Sequence, residues 1–402
     1  MGIDDHFAGI DPTGLPRDLA GDDAVRGELA DYLDDGFAWP DTGVAVPMPD
    51  EPSVAAWRHY ADLAANADAG IWPVLQARLP QLRFPIDESV PGSEAYRKAV
   101  RRGDLADAPA AGLSLSNPDA LTLTIHPTPA GHIPVLEPGG RDDFVTLLQA
   151  LTKRNAPEPI PDSVGACIVG GFNNWDRVAQ HRAAWEAETG FTAATNPDAW
   201  QRHFKATIVP NKPLYQDRFM ILSDGPYSNL HGPEIGLEPT TWREKSRTVR
   251  LEHECTHYVT RRICGSMRNN VHDELIADYC GLVAAFGRFH SRTFQAFMGI
   301  DGDGHIRDEG RIQLYRGNPP LSDTAFAALG RLLTRAADHL SGIHDRVVGG
   351  PFANFAQRTR IVLALTQTPV QTLAAADGGR RVDEALAAAD GIVTSAPPGR
   401  QV

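Results

Sequence analysis

Two pairs of polar residues, each with a spacing of four positions, constrain this 402-residue chain more than any other feature of its sequence. Residues 253–257 read His-Glu-Cys-Thr-His, and Glu274 and Asp278 follow in a second segment with a helical pattern. Residues four positions apart lie on the same face of an α-helix. The spacing therefore predicts two helices, over about residues 243–263 and 271–289, whose polar faces contribute to one site.

The residue types in this pattern are those of a catalytic zinc site. His253 and His257 can offer two imidazole nitrogens to one metal, and Glu274 can supply a carboxylate as the third ligand, which leaves one position open. Glu254 lies beside the ligands as a base for a zinc-activated water. Asp278 can accept the second N–H of a ligand histidine and so fix its tautomer. We expect one Zn²⁺ per chain.

The two motifs together resemble those of the gluzincins, the thermolysin-like class of HExxH zinc metallopeptidases. His253, Glu254 and His257 match the first gluzincin motif, and Glu274 and Asp278 match the second, Glu-x-x-x-Asp. The resemblance implies an α+β, zincin-like fold, in which a sheet-bearing lobe ends in the active-site helix and a mainly helical lobe follows, with zinc in the cleft between them. It also implies a zinc-dependent hydrolase that cleaves a peptide or other amide bond, with Glu254 as the general base.

Gluzincins also supply a His, Tyr or Arg from beyond the third ligand to stabilise the oxyanion of the tetrahedral intermediate. The segment 311–317, Arg-Ile-Gln-Leu-Tyr-Arg-Gly, is the best candidate for this role. Tyr315 can donate a phenolic hydrogen bond, and Arg311 or Arg316 can supply positive charge. One alternative is that these three residues are ordinary polar groups on the surface of the helical lobe. His272, His290 and His305 are rival candidates for the oxyanion role.

The remaining sequence predicts a mixed α+β chain in three parts. Residues 1–110 form an N-terminal arm and helical cover, 111–265 form the sheet-bearing lobe that ends in the HExxH helix, and 266–402 form the helical lobe with the third zinc ligand. Within the first part, residues 1–52 are expected to be extended or irregular. Apolar patterning predicts strands near 120–125, 133–136, 164–169, 205–209 and 218–222, and further helices near 53–69, 93–102, 142–153, 174–189, 322–347, 352–367 and 382–389.

Zincins bind a peptide along an edge strand just before the active helix. Residues 218–222 are the first choice for that strand, and residues 205–209 are the second. An interior strand is an equally good interpretation of residues 218–222.

Charge and composition exclude several classes of partner. The net charge of -13, from 51 acidic and 38 basic residues, argues against a nucleic-acid binder, because phosphate binding needs a basic face. The acidic start lacks the pattern of a signal peptide, and no apolar stretch approaches the roughly 18 residues of a spanning helix. Four cysteines do not form a disulfide framework. We expect a cytoplasmic protein that acts on a peptide or a small amide-containing substrate and binds neither nucleic acid nor membrane.

Two other functions remain open on the same residues. One is a small-molecule metabolic enzyme that uses the zinc site for a non-proteolytic reaction, since a free protease is hazardous in a cytoplasm. The other is a non-enzymatic, metal-binding regulatory protein. Glu254 is the residue that distinguishes a catalytic metal site from a structural one, because a structural site needs no general base. The shape of the cleft separates a peptidase from a small-molecule enzyme.

Overall fold

The computed structural model describes residues 15–395, except for positions 21, 35, 68–69, 193–194, 197, 267 and 269. The fold is mixed α+β, as predicted. The α-helices are α1 (Arg17–Ala20), α2 (Asp23–Leu33), α3 (Val54–Asn66), α4 (Ile71–Arg78), α5 (Glu94–Arg102), α6 (Arg141–Thr152), α7 (Trp175–Thr189), α8 (Ala199–His203), α9 (Pro239–Ile263), α10 (Val271–Phe286), α11 (Ser291–Met298), α12 (Asp323–Val347), α13 (Phe355–Thr366), α14 (Val370–Ala374) and α15 (Gly378–Asp390). The strands are β1 (Val44–Val46), β2 (Thr122–Thr128), β3 (Gly131–Glu137), β4 (Ala166–Asn173), β5 (Gln216–Leu222) and β6 (Val393–Ser395). None of the described helices is both long enough and apolar enough to cross a membrane.

Most of the predicted elements coincide with observed ones, and two predictions are wrong. Arg17–Ala20 and Asp23–Leu33 form α1 and α2, although an extended or irregular arm was expected over 1–52. Residues 1–14, 21 and 35 of that range lie outside the described residues. Residues 205–209 were expected to form a strand, but Phe204–Ile208 is a π-helical turn that continues directly from α8. A short apolar run contains too few residues for its periodicity to distinguish a strand from a helical turn.

The chain divides into two compact units. The helical unit comprises the described residues of Met1–Met48, Thr128–Ala130 and Gly225–Val402, and the sheet unit comprises those of Pro49–Pro127 and Gly131–Asp224. This division differs from the three predicted parts, because the HExxH helix α9 groups with the helices that follow it and not with the sheet. The reason is its packing, since α9 lies against α10 along much of its length.

The sheet unit is built on four strands in the order β2-β3-β5-β4. Strand β5 pairs in parallel with β3, where Val135 is opposite Met220, and antiparallel with β4, where Ile168 is opposite Met220. The first choice for a peptide-binding edge strand, 218–222, is therefore an interior strand. Its continuous buried run from Phe219 to Leu222 agrees with that position.

A buried carboxylate connects β5 to the helices around it. Asp217 accepts hydrogen bonds from Trp57 Nε1 at 2.9 Å, from Asn174 Nδ2 at 2.7 Å and from Arg177 Nη1 at 2.6 Å. Asn174 also caps α7, because its side-chain oxygen accepts from the backbone N–H groups of Asp176 and Arg177. One acidic side chain thus links α3, α7 and the sheet.

The helical unit places α9 and α10 in close contact. The side chain of Asn270 begins α10 by accepting hydrogen bonds from the backbone N–H groups of His272 and Asp273. A Cβ atom at Gly281 would lie only 2.7 Å from the Val249 carbonyl oxygen, so glycine permits the close approach of the two helices. Because Val249 faces Gly281 while His257, farther along α9, faces Asp273, the helices run in opposite directions.

Candidate metal centre

The three predicted ligands meet at one buried point in the helical unit. His253 and His257 extend from α9, and their Nε2 atoms are 3.1 Å apart. The two carboxylate oxygens of Glu274, on α10, lie 3.5 Å from these nitrogens, Oε2 from His253 and Oε1 from His257. One ligand atom from each residue falls within 4.8 Å of the others. Donor atoms on a tetrahedral zinc ion are separated by about 3.3 Å, so the spacing suits such an ion.

The second nitrogen of each imidazole faces a carboxylate. His253 Nδ1 is 2.8 Å from Asp278 Oδ1, and His257 Nδ1 is 3.1 Å from Asp273 Oδ2. These carboxylates favour the proton on Nδ1, which leaves both Nε2 lone pairs directed towards Glu274. When both imidazoles are neutral, which metal binding requires, two lone pairs and a carboxylate meet at this point. This donor set fits a catalytic zinc ion, which binds to two imidazoles and one carboxylate in many hydrolases.

The charges of the centre shift the pKa values of its residues. Burial raises the pKa of Glu274, but the neighbouring His253, His257 and Arg311 outweigh burial and hold that pKa well below its usual range. Burial lowers the pKa of His257, but the carboxylates of Asp273 and Glu274 outweigh it and raise that pKa well above its ordinary value. The Glu274 carboxylate is therefore held in the ionised form, which is the form that binds a metal.

A hydrogen-bond network lies behind His253. The Tyr227 hydroxyl is 2.9 Å from His253 Nδ1 and donates to Asp278 Oδ1 at 2.6 Å. Arg311 donates to the Tyr227 oxygen at 2.6 Å through Nη1 and to Asp278 through Nη2. Both terminal nitrogens of Arg311 are thus directed at groups that orient His253. The geometry favours a positioning role for Arg311 over contact with a substrate oxyanion.

The other two predicted oxyanion residues lie in different places. Tyr315 lies near Glu274, and burial together with the Glu274 charge raises the pKa of Tyr315 above its usual value. Tyr315 therefore keeps its proton and remains a donor beside the three predicted ligands. Arg316 pairs with Asp323 at 2.6 Å, and its guanidinium lies 4.5 Å from the centre of the Phe326 ring. The structure brings Tyr315 to the centre and leaves Arg316 outside it.

Glu254 differs from the acidic residues around it, because its carboxylate pairs with no other described side chain. It is half-buried and adjoins His253 on α9. Within the described part of the chain, no side chain hydrogen-bonds or ion-pairs with its carboxylate, whereas Asp278 accepts from His253, Tyr227 and Arg311. The Glu254 carboxylate is therefore available to accept a proton from another molecule.

Sequence patterns did not identify two residues of this centre, Tyr227 and Asp273. Asp273 directly precedes Glu274, so helical spacing places it on a different face, and only the packing of α9 on α10 brings it to His257. Tyr227 belongs to a loop without periodicity. The two residues after it, Ser228 and Asn229, have left-handed φ angles of 53° and 56°, which non-glycine residues adopt uncommonly.

Comparison with known proteins identifies a family. A profile of a family of unknown function, DUF7005, matches residues 17–377. The chain belongs to this family. The matched segment contains every residue of the metal centre, from Tyr227 to Tyr315. No curated protein and no solved structure is significantly similar to the chain.

Proposed function

We propose that this protein is a zinc-dependent hydrolase of the zincin-like, gluzincin type that cleaves a peptide or other amide bond. The strongest support is the convergence of His253, His257 and Glu274 within 4.8 Å. Glu254 adjoins His253 on the same helix, and none of the described side chains pairs with its carboxylate. A structural metal site requires no such base. The zinc ligands and the groups that orient them all belong to the helical unit.

The roles of the residues follow from their positions. His253, His257 and Glu274 would hold zinc, which when bound supplies a Lewis acid that polarises the substrate carbonyl and acidifies water. Glu254 accepts a proton from the attacking water and returns it to the leaving amine nitrogen. Tyr315, which keeps its phenolic proton, donates a hydrogen bond to the developing oxyanion.

The proposal also assigns roles to Asp278 and Asp273, the carboxylates that face the second nitrogen of each imidazole. Asp278 and Asp273 keep the protons of His253 and His257 on Nδ1, so that both Nε2 atoms remain available to the metal. Arg311 and Tyr227 in turn hold Asp278 in place. The proposal therefore gives these four residues positioning roles and reserves contact with the substrate for Glu254 and Tyr315.

The test is the substitution Glu254→Gln in protein loaded with zinc. Glutamine fills the same space but cannot take the proton, so hydrolysis should fall about 10²–10⁴-fold while zinc content and the circular dichroism spectrum stay unchanged. Cleavage of an internally quenched peptide library and of small chromogenic amides is measured for both proteins. Glu244→Gln is the matched control, because Glu244 is exposed on the same helix.

The outcomes separate the three functions considered for this site. Cleavage at the wild-type rate by Glu254→Gln would refute the role of this base. Hydrolysis of small amides without cleavage of any peptide would replace the peptidase with a small-molecule enzyme. Zinc binding by a wild type that hydrolyses neither class would support a non-enzymatic metal-binding protein.

A further inference from the structure

The sheet unit contains a cavity of about 530 Å³ that shares no residue with the metal centre. One wall is residues 167–173 of β4, and the others come from α5 and the end of α6. Its volume lies within the range of about 300–1,000 Å³ that is typical of small-molecule sites. The chemistry of its lining indicates the class of ligand.

Three arginines surround this cavity. Arg97 and Arg101 are four positions apart on α5 and so lie on one face of that helix, and Arg154 follows α6. Within the described residues, no acidic side chain lines the cavity and none of the three guanidinium groups forms an ion pair. The chain as a whole has a net charge of -13, so this is a local concentration of positive charge in an acidic protein. An anion bound in the cavity would offset the positive charge of these guanidinium groups.

The backbone of β4 is irregular where it lines the cavity. Gly170 is opposite Arg218 and Phe172 is opposite Asp217, so Gly171 is an extra residue without a partner on β5. Its φ of 70° is left-handed, a conformation that glycine adopts without strain. Such bulges are common beside binding sites, where they redirect the chain and leave a residue unpaired.

Arg154 is held in an unfavourable conformation at the edge of the cavity. Arg154 and Asn155 have left-handed φ angles of 56° and 62°. The buried Asn155 side chain fixes them, because its Nδ2 donates to the carbonyl oxygens of Gln81 at 3.0 Å and Phe84 at 2.9 Å. Backbone strain of this kind persists where surrounding contacts enforce it, often at ligand sites. The adjacent Tyr96 stays protonated, since burial, opposed by the Arg154 charge, raises the pKa of Tyr96 to about 12.

We propose that this cavity binds a small anion with two or more negative charges, a phosphate ester or a polycarboxylate, through Arg97, Arg101 and Arg154. Guanidinium groups match the geometry of both phosphate and carboxylate oxygens, so the two classes share one recognition chemistry. Tyr96 adds a neutral hydrogen-bond donor to the lining. Anion binding here does not depend on the proposed hydrolase activity.

Isothermal titration calorimetry of the full chain tests the site with two probes, glycerol 3-phosphate and tricarballylate. We expect saturable binding of at least one probe, and the probe that binds identifies the ligand class. Arg97→Gln should weaken binding about tenfold, through the loss of a charge-assisted contact. Arg102→Gln, which removes the same charge from the same helix but does not line this cavity, should change affinity less than twofold.

The same titrations in the His257→Ala background separate this site from the metal centre, because binding to a metal would be lost there. Absence of saturable binding of both probes at millimolar concentration would overturn the proposal. Equal weakening by Arg97→Gln and Arg102→Gln would also overturn it, since that result describes general electrostatic attraction. Arg97 and Arg102 are both exposed, so both variants should fold, which circular dichroism checks.

Discussion

Replacement of Asp278 by asparagine tests whether the metal centre depends on the carboxylate behind His253. Asp278 is fully buried, and its Oδ1 lies 2.8 Å from His253 Nδ1 and 2.6 Å from the Tyr227 hydroxyl. Its Oδ2 accepts from Arg311. Asparagine keeps the volume of the side chain but removes its negative charge. The substitution therefore weakens the preference of His253 for a proton on Nδ1, and it lowers the basicity of His253 Nε2, the nitrogen predicted to bind zinc.

Two magnitudes follow from these contacts. Loss of such an outer partner typically costs about 10–100-fold in metal affinity, which is about 1.4–2.7 kcal/mol of zinc binding. Removing one member of a buried ion pair costs about 3–5 kcal/mol of folding free energy. For Asp278→Asn we expect a loss of about 3 kcal/mol of folding free energy, the lower end of this range. The reason is that Arg311 keeps its hydrogen bond to the Tyr227 oxygen and lies 3.8 Å from the Glu274 carboxylate.

Competition with a chromophoric chelator measures zinc affinity, and denaturant unfolding of the metal-free protein measures stability. Asp323→Asn is the matched control, because its 97% exposed carboxylate pairs with Arg316 outside the centre, and zinc affinity should stay within twofold of the wild type. A folded Asp278→Asn variant with wild-type zinc affinity would refute the reasoning. It would confine the gluzincin resemblance to the first motif, and the assignment of Glu274 as a ligand would then rest on its position alone.

Three further substitutions test other contacts. Tyr227→Phe keeps the aromatic ring but removes the hydroxyl that contacts Asp278, so zinc affinity should fall about tenfold in the same competition, and an unchanged affinity would contradict its positioning role. Arg316→Ala should leave activity unchanged, because Arg316 pairs with Asp323 outside the centre; a loss of activity would show that Arg316 contributes to the site. Thermal unfolding should show a loss of about 1–2 kcal/mol, because the variant lacks the contacts with the Phe326 ring and the Leu321 carbonyl oxygen. Asp217→Ala should cost about 3–5 kcal/mol in denaturant unfolding, because Arg177 is left buried without its carboxylate, and a smaller cost would show that water or another group compensates.

Helical spacing was sufficient to find the residues that converge at the candidate metal centre. His253 and His257 share one face of α9, and Glu274 and Asp278 share one face of α10, because each pair is four positions apart. The link between the two helices is short, so the pairs could only belong to neighbouring elements. The observed bounds of α9 and α10 differ from the predicted ones by four residues or fewer at each end.

Helical spacing could not predict contacts between segments that are distant in the sequence. Tyr227 meets Asp278 across 51 positions, and no periodicity in its loop indicates that contact. Whether β5 lies inside the sheet or at its edge depends on which strands pair with it, and this is decided by tertiary packing. The same limit applies to the cavity beside β4, since Arg97 and Arg154 come from different helical segments and only the fold brings them together.

Zinc content tests the central claim most directly. Wild type, His257→Ala and His305→Ala are purified, loaded with zinc, freed of excess metal and subjected to elemental analysis. His305 is the matched control, because its side chain is 72% exposed and lies outside the ligand set. The account predicts about one zinc per chain in the wild type and in His305→Ala, and little in His257→Ala. Equal zinc in all three proteins, or none in the wild type, would contradict it.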